Sequence, residues 1–129
     1  MRDTAFVFFL SAVICVLAGM IWGLQMAISE DHLLAPAHAH LNLVGWATLA
    51  LFGIYYRLTP AANGTRLSRI HAGIAILGVV VMVPGIALVV EGGTPAVAAV
   101  GAILSLSSMV IFLITVLRHG FGVPASTLA

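Results

Sequence analysis

The sequence predicts an all-α integral membrane protein, a bundle of four transmembrane helices in one domain covering residues 1–129. Three observations predict it. Hydrophobic residues make up 62% of the chain and charged ones 7%, with a mean hydropathy of +1.20, which leaves too little polar surface for a water-soluble fold. Four apolar stretches are each about twenty residues or longer, enough at about 1.5 Å per residue to cross a hydrocarbon layer of about 30 Å. Finally, the stretches do not alternate polar and apolar residues as a small outer-membrane barrel would, so their backbone groups must be satisfied within helices.

In order, the expected spans run from about Thr4 to Ile28, Ala37 to Leu58, Ile70 to Val90 and Ala96 to Leu117. The first is too long for the core of a signal peptide, and no small-x-small cleavage site follows it. The connections are short and turn-like: Ala61-Ala62-Asn63-Gly64 on one side, Glu91-Gly92-Gly93-Thr94-Pro95 on the other. Pro84 is expected to bend the third helix and free a carbonyl. Gly73, Gly78 and Gly85 on that helix, with Gly45 and Gly53 on the second, are expected to permit close helix approach. The tail from Gly120 to Ala129 is expected to be loosely ordered.

Arginine placement gives an orientation. Arg2 precedes the first helix, Arg57, Arg66 and Arg69 surround the second connection, and Arg118 follows the fourth helix. The other two connections carry Glu30, Asp31 and Glu91 and no basic residue. The positive-inside rule therefore puts both termini in the cytoplasm, and the expected location is an inner membrane of the bacterial type. A net charge of +1 with scattered arginines excludes nucleic acid as a partner. The single cysteine, Cys15, lies in an apolar run and reads as a small buried hydrophobe.

Five histidines are many for so apolar a chain. His32 and His119 read as solvated interface residues, and His71 as a structural residue that snorkels from near the cytoplasmic face toward headgroups beside Arg69, with an inner cofactor as its other reading. His38 and His40 differ, because they occupy the first turn of the second helix, where ionisable groups entering a bilayer have a partner or a function. At about 100° per residue they point roughly 200° apart, so one metal ion cannot take both. Together they present imidazoles in two opposed directions, as suits a helix between two cofactors or two subunits. His38, Asn42, Gly45, Leu49, Phe52 and Tyr56 share one face; His40, Val44, Ala47 and Leu51 share another. Gly45 is expected to leave a gap in which a flat macrocycle lies against the backbone.

The stretch Ala37 to Gly53, with His38-Ala39-His40, Gly45-Trp46 and Phe52-Gly53, resembles the tenth helix of subunit I of haem–copper oxidases. The likeness is greatest to the C family that consumes cytochrome c and to nitric oxide reductases. In that superfamily a His-x-His pair serves two haems, one imidazole to each. The resemblance implies a b-type haem held by His38 and His40, with Asn42, Gly45 and Trp46 beside it. It also implies a geometry. The family subunit has a dozen helices with pseudo-threefold symmetry, and three copies of a four-helix chain supply as many. A homotrimer would then clasp haem between His38 of one copy and His40 of the next, with a homodimer as the alternative. The departures are clear: no second histidine pair for the family's copper, and no carboxylate in mid-membrane to carry protons. Oxygen and nitric oxide reduction are therefore not expected.

Three functions follow as expectations. One is a membrane cytochrome with haem near the periplasmic side, for electron transfer or diatomic gas binding, its redox partner unspecified. A second is a copper- or zinc-binding protein using His32, His38 and His40. The third is a structural accessory protein without cofactor. No Cys-x-x-Cys-His motif is present, which excludes covalent c-type haem attachment.

Overall fold

A computed structural model describes residues 2–128; Met1 and Ala129, the ends of the expected domain, lie outside the described residues. Four helices carry the chain: α1 (Thr4–Ser29), α2 (Ala35–Leu58), α3 (Arg66–Val90) and α4 (Ala96–His119). Each is long and apolar enough to cross a membrane, and no strand occurs among the described residues. This is the multi-pass, all-α architecture read from hydropathy.

Local chemistry sets the helix ends. Asp3, in extended backbone, accepts a hydrogen bond from the Phe6 amide and caps α1. Glu30 closes α1 in the left-handed region at φ 57°, and the Asp31 carboxylate then accepts from the Leu33 amide to turn the chain. α2 starts two residues before the apolar run because Pro36 sits in its first turn, where a missing N–H leaves nothing unpaired. α3 starts four residues early, at Arg66. Thr65 Oγ1 accepts from the Ser68 amide at 3.1 Å and caps a turn that hydropathy hides behind two arginines. α3 continues through Pro84 as one helix. α2 is not uniform: Leu41–Thr48 is π-helical, a wider winding that neither composition nor periodicity announced.

Lipid is as apolar as leucine, so helices in it associate by close contact and polar bonds rather than by hydrophobic burial. α3 and α4 pack most extensively. Gly85 faces the backbone of Ala98 and Gly101 faces the backbone of Met82, with no room for a side chain at either place. α2 packs along α1 and against α3, with Gly53 closed against the backbone of Ala5 and Phe9. Gly73 does not join this scheme; the space beside it is open.

A polar collar ties one end of the bundle. Asn63, in the turn between α2 and α3, donates to Asp3 at 2.9 Å and accepts from the Ala5 amide at 3.2 Å. Thr4 Oγ1 and Ser68 Oγ, 2.9 Å apart, join α1 to α3. Tyr55 donates to the Gly120 carbonyl at 2.7 Å, and the Gly122 amide donates to Thr59 Oγ1 at 2.9 Å. The root of the tail is therefore fixed, not loose, and Phe121 stacks on Tyr55. The Phe6 amide first, then Asn63 and Arg57, hold the Asp3 carboxyl below the usual carboxylate range. The Arg57 ion pair, at 3.4 Å and largely exposed, adds little by itself.

Two outcomes test this packing. Gly101→Leu forces side-chain volume into the α3–α4 contact and should cost about 1–3 kcal/mol, read as a lower thermal midpoint in detergent. Ile103→Leu, on the exposed side of α4, should leave the midpoint unchanged; equal midpoints in the two variants would deny the contact. Asp3→Ala should cost about 1 kcal/mol at neutral pH. Because folding lowers the Asp3 pKa, its contribution is complete above the ordinary value of about 3.9 and is lost as pH falls through the folded one. The variant should therefore lose less stability than the native chain below about pH 4, and parallel acid profiles would exclude this role.

Candidate functional site

At the N-terminal end of α2 the two histidines part, as their spacing requires. His38 turns into the crevice with α1. Its Nε2 lies 2.9 Å from the Gly19 carbonyl oxygen, which only accepts, so Nε2 carries the proton and donates. The Trp22 ring meets the imidazole edge-on at 5.8 Å, and Gly23 leaves the room the ring needs. His40 faces away from the bundle and is exposed. Its Nδ1 donates to the Pro36 carbonyl on its own helix at 2.8 Å, which fixes the tautomer and leaves the Nε2 lone pair pointing outward.

The remaining expected site residues belong to the α1–α2 packing. Asn42 wedges against Gly19, its amide 3.3 Å from His38 Nε2 and its Oδ1 buried without a partner. Gly45 does not leave the expected gap. A side chain there would meet Cys15 Sγ at 2.9 Å and Val79 Cγ1 at 3.2 Å, so α1 and α3 fill the space a macrocycle would need. Trp46 is half-buried against the core. The face read from the sequence is the inward one: Gly45, Leu49, Phe52 and Tyr56 are buried, and His38 and Asn42 are half-buried. His32 stays exposed and does not converge with His38 and His40; no group of three or more metal-ligating side chains forms among the described residues.

The most buried ionisable group is elsewhere. His71, 0% exposed, sits on α3 inside an aromatic box of Phe8, Phe52, Tyr56 and Phe112. The Tyr56 hydroxyl and His71 Nδ1 are hydrogen-bonded at 2.8 Å. Nε2 is buried with no hydrogen-bond partner, and the Phe52 and His71 rings lie 4.5 Å apart, centroid to centroid. His71 thus reaches neither headgroups nor a cofactor outside the helices. It is a core residue of the collar end and does not snorkel as expected. Tyr55 and Tyr56 are likewise buried core residues. The signal for this was present in the spacing of Phe52 and Tyr56 on the inward face.

No protein-family model, curated protein or solved structure matches the chain. The likeness to the haem–copper oxidase helix accordingly rests on the residues from Ala37 to Gly53 alone.

The buried pair has a thermodynamic signature. Tyr56→Phe strands both imidazole nitrogens and should destabilise by about 1–3 kcal/mol, whereas Tyr56→Phe with His71→Leu should recover much of that loss. Thermal midpoints of the two variants check it, and additive losses would show that the imidazole is not held by Tyr56.

Proposed function

We propose that the chain is a membrane haem-binding protein of b type, with iron held at the outer end of α2 between copies of the chain. The observation that supports this best is the state of His40. Its ring donates one N–H to a backbone carbonyl and presents the other nitrogen, unprotonated, on an exposed face. Metal-bound imidazoles are oriented in this way, because the carbonyl both fixes the tautomer and raises ligand basicity. With two imidazoles, haem supplies one-electron transfer; with one, it leaves a position for a diatomic gas.

The chain's own bonds bear on how copies assemble. His38 Nε2 already donates to Gly19. A homodimer in which His40 of each copy faces a shared haem leaves that bond intact. In the homotrimer His38 either exchanges Gly19 for the neighbour's iron or ligates it through Nδ1, the nitrogen that Gly19 leaves free. Asn42 and Gly45 serve helix packing in either arrangement, and Trp46 stands beside them. By the positive-inside rule the arginine end, with both termini, is cytoplasmic and the histidine end periplasmic, in an inner membrane of the bacterial type.

Spectra of the purified protein test the proposal. A Soret band that sharpens on reduction is expected, and His40→Ala should lower haem affinity by more than about a hundredfold, beyond the roughly 10–100-fold that loss of a supporting contact costs. His38→Ala keeps haem in the dimer and loses it in the trimer, and the mass of the detergent-solubilised complex reads the copy number. Colourless protein carrying copper, or full haem in His40→Ala, would overturn the assignment.

A further inference from the structure

Between the start of α1 and the start of α3, at the arginine end, lies an open groove of about 520 Å³. Val7, Ala72 and Ile76 line its apolar part, and Gly73 forms a floor beside which the space is open. Its mouth carries Arg2 and Arg69, both exposed. Asp3 also borders the mouth, but its carboxylate accepts from the Phe6 amide, Asn63 and Arg57. Among the described residues the one ion pair is Arg57 with Asp3, so the two guanidiniums at the mouth have no carboxylate of their own. Arg69 donates one N–H to the Gly64 carbonyl at 3.1 Å, which steadies the guanidinium and leaves its other donors free.

The groove therefore joins two kinds of surface in one place: a smooth apolar channel at membrane depth and paired cations at headgroup depth. A single amphiphile matches both. We propose that this groove binds one anionic phospholipid of the leaflet on the arginine side, its phosphate between Arg2 and Arg69 and an acyl chain along Val7, Gly73 and Ile76. The site is at the opposite end of the bundle from His40 and does not depend on the haem reading. Gly73 has a role here that helix packing does not give it, because no neighbouring helix closes on it.

The test is native mass spectrometry of the full chain in detergent, titrated with phosphatidylglycerol or phosphatidylcholine. Two basic groups near the interface should favour phosphatidylglycerol adducts by roughly tenfold or more. Arg2→Gln with Arg69→Gln should reduce them to the phosphatidylcholine level. Gly73→Leu keeps both arginines, fills the channel, and should cut phosphatidylglycerol adducts severalfold with helicity unchanged. Equal occupancy by the two lipids overturns the proposal, and so does undiminished binding in Gly73→Leu, which would mean surface charge alone. Displacement by inorganic phosphate would show that an anion suffices without a lipid tail. A changed oligomeric mass in Gly73→Leu would mean that a second copy covers the groove; either result rejects the lipid.

Discussion

A hydrocarbon solvent removes the usual reason for apolar helices to associate, and every other feature of this bundle follows from that. Leucines on α1 or α4 gain little by facing a helix instead of a lipid tail, and many of them stay outside. What remains is close contact and polar bonds. The glycine contacts of α3 with α4 supply the first, and the collar of Asp3, Asn63, Thr4, Ser68 and Tyr55 supplies the second. Bonds of this kind are few, so each has a large share in deciding where the helices sit.

The same constraint governs the histidines. An imidazole at membrane depth must place an N–H and a lone pair, and each of the three solves this differently. His71 pairs Nδ1 with the Tyr56 hydroxyl and leaves Nε2 among rings. His38 gives its proton to a carbonyl of the neighbouring helix. His40 gives its proton to its own helix, so that its lone pair is left for something outside the chain. Only the last arrangement keeps a strong donor atom at the surface, which is why the functional argument rests on His40 rather than on the pair.

How much of this was legible in the sequence depends on whether the signal was local. The four spans were, because twenty apolar residues in a row have one meaning in a bilayer. So was the inward face of α2 from His38 to Tyr56, because helical spacing alone determines it. The divergence of His38 from His40 follows from the same spacing. What escaped depended on the partner across a contact. Gly45 reads as a gap on an isolated helix, and the gap closes once Cys15 and Val79 arrive from two other helices. His71 reads as an interface residue because it begins an apolar run. Thr65 extends the helix below it, and the extra turn places the imidazole within the bundle. The π-helical winding of α2 over Leu41–Thr48 has no signature in composition or periodicity.

That winding also locates the least satisfied part of the structure. Among the described residues three buried polar side-chain atoms lack a partner: Asn42 Oδ1, His71 Nε2 and Ser105 Oγ. Asn42 lies within the π-helical segment, and Ser105 faces it across a cavity of about 170 Å³ bordered by Val44, Thr48, Phe52 and Ser108. Each unpaired group costs about 1–3 kcal/mol when buried, and the wider winding makes a poorer fit with straight neighbours. The helix that carries both histidines is closed against its neighbours at Gly45 as well as at Gly53, and at its N-terminal end His38 bonds to Gly19 while His40 bonds to Pro36.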